Sequence, residues 1–132
     1  MVTGQTKDVG FQFGIRKTFS ISPEEAWQFL FSAIGLKIWL GELNNPFEID
    51  QSFKTESGIE GKIRVFKPNS HIRMSWKKSG WENESTLQIR VIDNKGRTTI
   101  SFHQEKLSGP GQREEMKAYW RKVIDKLAET IG

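Results

Sequence analysis

The sequence predicts an α+β fold: an antiparallel sheet packed against a long C-terminal helix. Three observations predict it. Between residues 52 and 106, short segments of alternating polarity are separated by turn-forming residues, the pattern of consecutive hairpins. "SISPEEAW" combines Ser22 as N-cap, Pro23 at the first helical position and Glu24 and Glu25 at the positive end of the helix dipole. Near the end of the chain, Met116, Tyr119, Trp120, Val123, Ile124, Leu127 and Ile131 fall within one arc of a helix, with charged residues on the opposite arc. Strands that run together and apart from the helices define the α+β class. The sheet face and the helix stripe must cover each other, because at ~25 cal/mol per Å² leaving both exposed would forfeit tens of kcal/mol.

Taken in order, Phe11, Phe13, Ile15 and Phe19 share one parity and predict a strand over 11–19. The helix opened by Ser22 carries Ala26, Trp27, Phe29, Leu30, Phe31 and Ile34. Gly35 is expected to end it, or to bend it into a short second helix with Leu36, Trp39 and Leu40. "GELNNPFEID" reads as loop. Five strands follow, over about 52–56, 61–67, 71–78, 84–93 and 97–106. Ser57-Gly58, Pro68-Asn69-Ser70, Ser79-Gly80 and Asp93-Asn94-Lys95-Gly96 supply the turns. The inward parity collects Ile63, Val65, Ile72, Met74, Trp76, Leu87, Ile89, Val91, Ile100 and Phe102. Thr55, Ser85, Thr98, Gln104 and Tyr119 are the few polar groups expected to point inward with them.

With 132 residues the chain is read as one domain, 1–132, with residues 1–10 a flexible N-terminal arm. Its 36% hydrophobic and 27% charged residues and mean hydropathy of -0.56 place it among water-soluble globular chains. No apolar run approaches the ~20 residues of a bilayer span, so no membrane span is expected. The N-terminus has no apolar core of a secretory signal, and there are no cysteines. The expected location is cytoplasmic, where cysteines stay reduced. Fifteen aromatics, nine Phe, five Trp and one Tyr, suffice for a dense interior. The net charge is +4 with a pI near 9.4. In the last helix Arg113, Lys117, Arg121, Lys122 and Lys126 alternate with Glu114, Glu115, Asp125 and Glu129, a solvated face. Nucleic acid is therefore not expected as a partner, because phosphate recognition requires a stripe of one sign.

"IRKTFSISPEEAWQFL", "LKIWLGE", "EGKIRVFKPNSHIRMSW", the hairpin "TLQIRVIDNKGRTTISF" and "YWRKVIDKLAETI" occur in an order and spacing that resembles the homologues of the heat-shock-ninety ATPase activator. These belong to the START-like (SRPBCC) superfamily, and the resemblance covers about residues 13–131. It implies a helix-grip fold: a curved antiparallel sheet of six or seven strands around the C-terminal helix, with two short helices after the first strand. It also implies an apolar cavity between sheet and helix. A rod laid across a curved sheet touches it unevenly, which agrees with such a wedge. The residues expected to line it are Trp39, Phe53, Val65, Met74, Trp76, Ile89, Phe102, Met116, Tyr119 and Trp120. The alternative is that these bulky groups fill the space themselves.

Catalytic chemistry is not legible. His71 and His103 have no partner at metal-ligand spacing, so neither metal nor cofactor is expected. "GIEGK" lacks the spacing of a phosphate loop, and no Ser lies in a GxSxG setting. Glu56, Glu60, Glu82 and Glu84 gather near strand ends, where carboxylates are solvated. The leading expectation is thus non-catalytic binding of a small apolar, aromatic or lipid-like ligand. The resemblance gives a second, a protein-interaction domain that modulates a chaperone ATPase and meets an acidic partner through Lys77, Lys78, Arg121, Lys122 and Lys126. A cyclase-type enzyme, the third, would need a buried acid/base pair.

Overall fold

In the computed structural model, residues 5–6, 10–44 and 46–131 are described. The elements are β1 (Gln5–Thr6), β2 (Gly10–Phe19), α1 (Pro23–Leu30), α2 (Ala33–Trp39), β3 (Ser52–Lys54), β4 (Glu60–Lys67), β5 (His71–Trp76), β6 (Ser85–Asn94), β7 (Arg97–Leu107) and α3 (Pro110–Ile131). All strands join one antiparallel sheet in the order β1-β2-β7-β6-β5-β4-β3. The first long strand therefore closes against the last. α3 lies on the inner face, against β2 and β7 and beside α2. It buries Met116, Trp120, Val123, Ile124 and Leu127, the stripe read from the sequence. Of the expected N-terminal arm, Gln5–Thr6 pairs with Gly10 and Phe11, while residues 1–4 and 7–9 lie outside the described residues.

The start of α1 forms as its sequence dictates. Ser22 Oγ accepts from Glu25 N at 3.1 Å, and Glu25 Oε1 accepts from Ser22 N at 3.2 Å, a complete capping box. The end of α1 differs from expectation. Gly35 neither stops nor bends it: the chain breaks at Phe31-Ser32, and Ser32 caps α2 by accepting from Gly35 N at 3.1 Å. Gly35 is buried inside α2 because a Cβ there would lie 1.8 Å from the Phe29 carbonyl oxygen. Close approach of the two helices demanded the glycine.

The β6–β7 hairpin turns through Lys95 (φ 55°) and Gly96 (φ 86°), the paired positive φ values of a type I′ turn. A second departure lies in β4. Ile63 pairs with Met74, but Val65 pairs with Arg73 and Phe66 with Ile72, so a β-bulge interrupts the alternation. Val65 is thereby moved off the inner face. Phe66 takes its place among the core residues and meets Trp27 and Phe31 at ring-centroid distances of 5.4 and 5.3 Å.

Candidate functional site

The space between sheet and α3 is the candidate site, and its lining comes from six elements. α2 contributes Trp39, β3 Phe53, β5 Met74 and Trp76, β6 Ile89, β7 Phe102, and α3 Met116, Tyr119 and Trp120. Apart from Tyr119, which is partly buried, each of these nine is at most 2% exposed. Val65, the tenth residue expected there, stands opposite Arg73 on the other face.

These side chains pack on one another. The Trp120 ring stacks on Phe102 at 4.8 Å and tilts against Trp76 at 5.4 Å, while Tyr119 meets Trp76 edge-on at 5.8 Å. Offset and edge-on pairs of this kind add to the stabilisation that burial already supplies. A further aromatic group, Trp27, Phe31, Phe47 and Phe66, joins Trp39 and Phe53 and closes the end covered by α1 and α2. Trp27 and Phe31 are legible as the apolar side of α1, but Phe47 and Phe66 are not. Phe47 sits in a loop rich in turn formers, and Phe66 is on the wrong parity until the bulge is known.

The polar groups expected inside are there, and the fold itself holds them. Trp120 Nε1 donates to Gln104 Oε1 at 2.8 Å, Gln104 Nε2 donates to Ser85 Oγ at 2.9 Å, and the Ser85 hydroxyl donates to the Trp76 carbonyl at 2.7 Å. This chain crosses from α3 over β7 and β6 to β5. Thr98 donates to the Ile21 carbonyl at 2.7 Å, and Thr55 Oγ1 accepts from Ile59 N at 3.0 Å. Tyr119 donates to the Trp39 carbonyl at 2.6 Å, tying α3 to α2. Burial pushes the Tyr119 phenol well above the usual tyrosine range, because its ionised form would lose hydration. Among the described residues one buried donor is left over: Trp76 Nε1 has no partner.

Among the described residues the buried polar side chains are Thr55, Ser75, Ser85, Thr98, Thr99 and Gln104, none of them ionisable. Among the described residues no group of three or more His, Asp or Glu side chains is placed to hold a metal ion. Among the clefts on the surface, Phe53 borders one and Tyr119 another. Phe53 edges a polar cleft with Lys62 and Arg64, and Tyr119 edges one between α2 and α3. Among the described residues no helix is long and apolar enough to cross a membrane.

Comparison with solved structures places this fold beside several others. CalU16 from Micromonospora echinospora superposes with a TM-score of 0.83 at 18% identity, over 96% of this chain and 81% of its own. An HSP90 activator from Plasmodium falciparum gives 0.79 at 18% identity, over 93% of this chain and 97% of its own. Aha1 from Colwellia psychrerythraea, solved as a dimer, gives 0.76 at 16% identity, over 91% and 95%. At these identities the likeness establishes a shared helix-grip architecture. No curated protein matches by sequence. The pattern of one family, described as Activator of Hsp90 ATPase homolog 1-like protein, matches residues 20–132. Most of the chain is thus accounted for by that pattern, and the protein belongs to the Hsp90 ATPase activator homologue family.

Proposed function

We propose that this protein is a non-catalytic interaction domain that modulates a chaperone ATPase, working through its outer surface. One observation carries the reading: the rings beneath α3, where a guest would sit, pack on one another and are shut off from solvent. Trp39, Trp76, Trp120, Phe53, Phe102, Met74 and Met116 are all closed off from solvent. The five inward polar groups that could orient a guest are engaged with the fold. Among the described residues the buried polar side chains include no Asp, Glu, His or Lys, and the Tyr119 phenol is held by the Trp39 carbonyl, so an acid/base pair gains no support. Family membership supplies the class of partner. The reading treats the chain as one working domain and places its action in the cytoplasm. Adding the purified protein to a purified chaperone of the heat-shock-ninety class is expected to raise ATP turnover in proportion to the complex formed. Turnover that stays flat up to a large molar excess rejects the reading.

A second reading, binding of an apolar or aromatic small molecule, is favoured by the Trp76 indole. A buried donor without an acceptor costs about 1–3 kcal/mol. A ligand carbonyl or carboxylate reaching Nε1 would relieve that cost, with Tyr119 and Trp120 moving aside. Native mass spectrometry of the purified protein and tryptophan fluorescence during titration with fatty acids and flavonoid-like compounds test it. Unchanged mass and emission across the panel remove it.

A further inference from the structure

The register of the sheet assembles a feature on its outer face that no single strand contains. Arg16 of β2 pairs with Ser101 of β7, Ser101 with Arg90 of β6, Arg90 with His71 of β5, and His71 with Lys67 of β4. These five residues form one straight row across five strands. Their neighbours Ile15, Phe102, Ile89, Ile72 and Phe66 belong to the core, so the row faces away from α3. At ~4.8 Å between strands, the row is about 19 Å long.

The row contains no acid. Arg16, Lys67 and Arg90 are exposed and enter no ion pair among the described residues. Three fixed positive charges are thus gathered in one line of a chain whose net charge is +4. In the adjacent row Arg73 is paired with Glu105 at 3.1 Å. Of the basic residues first expected to meet an acidic partner, Lys78 is bound to Glu115 and Lys126 to Glu129. The titration of His71 reports the field of the row: its pKa is lowered by partial desolvation and then by Arg90 and Lys67.

We propose that the row Arg16, Ser101, Arg90, His71 and Lys67 is the docking strip for an extended acidic segment of a partner protein. The proposal rests on the reading of this chain as an interaction domain and names the surface and the chemistry of the partner. An extended strand rises ~3.4 Å per residue, so carboxylates at alternate positions recur every ~7 Å. Three or four of them match the length of the row. Guanidinium groups at Arg16 and Arg90 donate paired hydrogen bonds to carboxylates, and Ser101 between them offers a hydroxyl. Single-stranded nucleic acid fits less well, because binders of that class add aromatic platforms for base stacking. The outward positions of this row and its neighbours are Gly14, Thr18, Val65, Arg73, Gln88, Ile92, Thr99 and His103, with no Phe, Tyr or Trp among them.

The test is fluorescence anisotropy with a labelled peptide of alternating Glu and Ser, at low and at physiological salt. Parallel arms use single-stranded DNA and vesicles of phosphatidylcholine with phosphatidylserine. Two variants carry the same change of charge: Arg16→Glu with Arg90→Glu on the row, and Lys122→Glu with Lys126→Glu on α3. Peptide affinity is expected to fall at least about tenfold in the row variant and less than about twofold in the α3 variant. Circular dichroism confirms that both remain folded, and Arg16→Gln with Arg90→Gln gives an intermediate loss without charge reversal. Equal losses in the two variants, no binding by the unaltered protein, or tighter binding to DNA or vesicles overturns the proposal. ATP turnover of the chaperone separates the two levels. Stimulation that survives the row variant removes the strip and leaves the interaction reading standing. Failure of the unaltered protein to stimulate removes that reading, while the anisotropy still judges the row.

Discussion

The two faces of the sheet are made from the same strands and alternate residues, yet they are finished in opposite ways. On the inner face Ile72, Met74, Leu87, Ile89, Ile100 and Phe102 meet the rings and stripe of α3, and the polar groups among them are hydrogen-bonded except Trp76 Nε1. On the outer face Arg16, Arg90 and Lys67 stand one residue away from that core, and among the described residues none of them enters an ion pair. Packing leaves the inner face little freedom to change, and burial requires its polar groups to be satisfied from within. Water satisfies the outer face in the free protein, so its cations remain available to something else. Substitutions inside should therefore register as stability, and substitutions outside as association.

The largest expected effect is inside. Trp120→Ala removes a ring packed on Phe102 and Trp76 and strands Gln104, and should destabilise the protein by about 3–5 kcal/mol in urea unfolding. A loss below about 1 kcal/mol would mean the interior is loosely filled, and would restore the cavity as a binding site. Gly35→Ala comes next. The added methyl collides with the Phe29 carbonyl, and α1 and α2 must move apart at a cost of about 1–3 kcal/mol. A neutral result in the same assay would show that this junction yields.

Tyr119 gives a test by pH, and it is the only tyrosine in the chain. Its phenol ionises near pH 10 when unfolded and higher when folded, so the unfolded chain gives up its proton first. The contribution is complete below about pH 10 and declines by up to about 1.4 kcal/mol per pH unit above it. Tyrosinate absorbance should appear together with unfolding. Ionisation that precedes unfolding would break the link between Tyr119 and Trp39.

The smallest effect on stability belongs to the outer face. Arg90→Gln should change it by less than about 0.5 kcal/mol. The same variant removes one of the two cations that depress the His71 pKa, so the His71 midpoint should rise toward that of an ordinary histidine, as read by NMR. His71 is protonated less readily folded than unfolded, so stability falls as the pH drops through the histidine range. An unmoved midpoint would mean that Arg90 and His71 do not share a field, which weakens the row as a unit.

How much of this was legible beforehand differs by level. Ser22, Pro23 and Glu25 determined the start of α1 because capping is settled within four residues. The stripe from Met116 to Leu127 determined α3 and the face it would bury, because helical period is local. Gln104, Ser85, Thr98 and Thr55, which the sequence leads one to expect inside, are buried. Gly35 and Val65 were misread, since a glycine demanded by a neighbouring helix looks like a glycine that ends one, and a bulge leaves no mark on the alternation before it.

By itself, then, the sequence determined the order of elements and, outside the bulged part of β4, which side of each faced inward, through interactions between residues a few positions apart. Two things waited for the tertiary structure: which aromatics would pack on one another beneath α3, and which cations would stand side by side. Both depend on register across strands, which brings Arg16 beside Ser101 and Lys67 beside His71. Register is set by the closure of the whole sheet, including the pairing of β2 with β7, and no local window of sequence contains it.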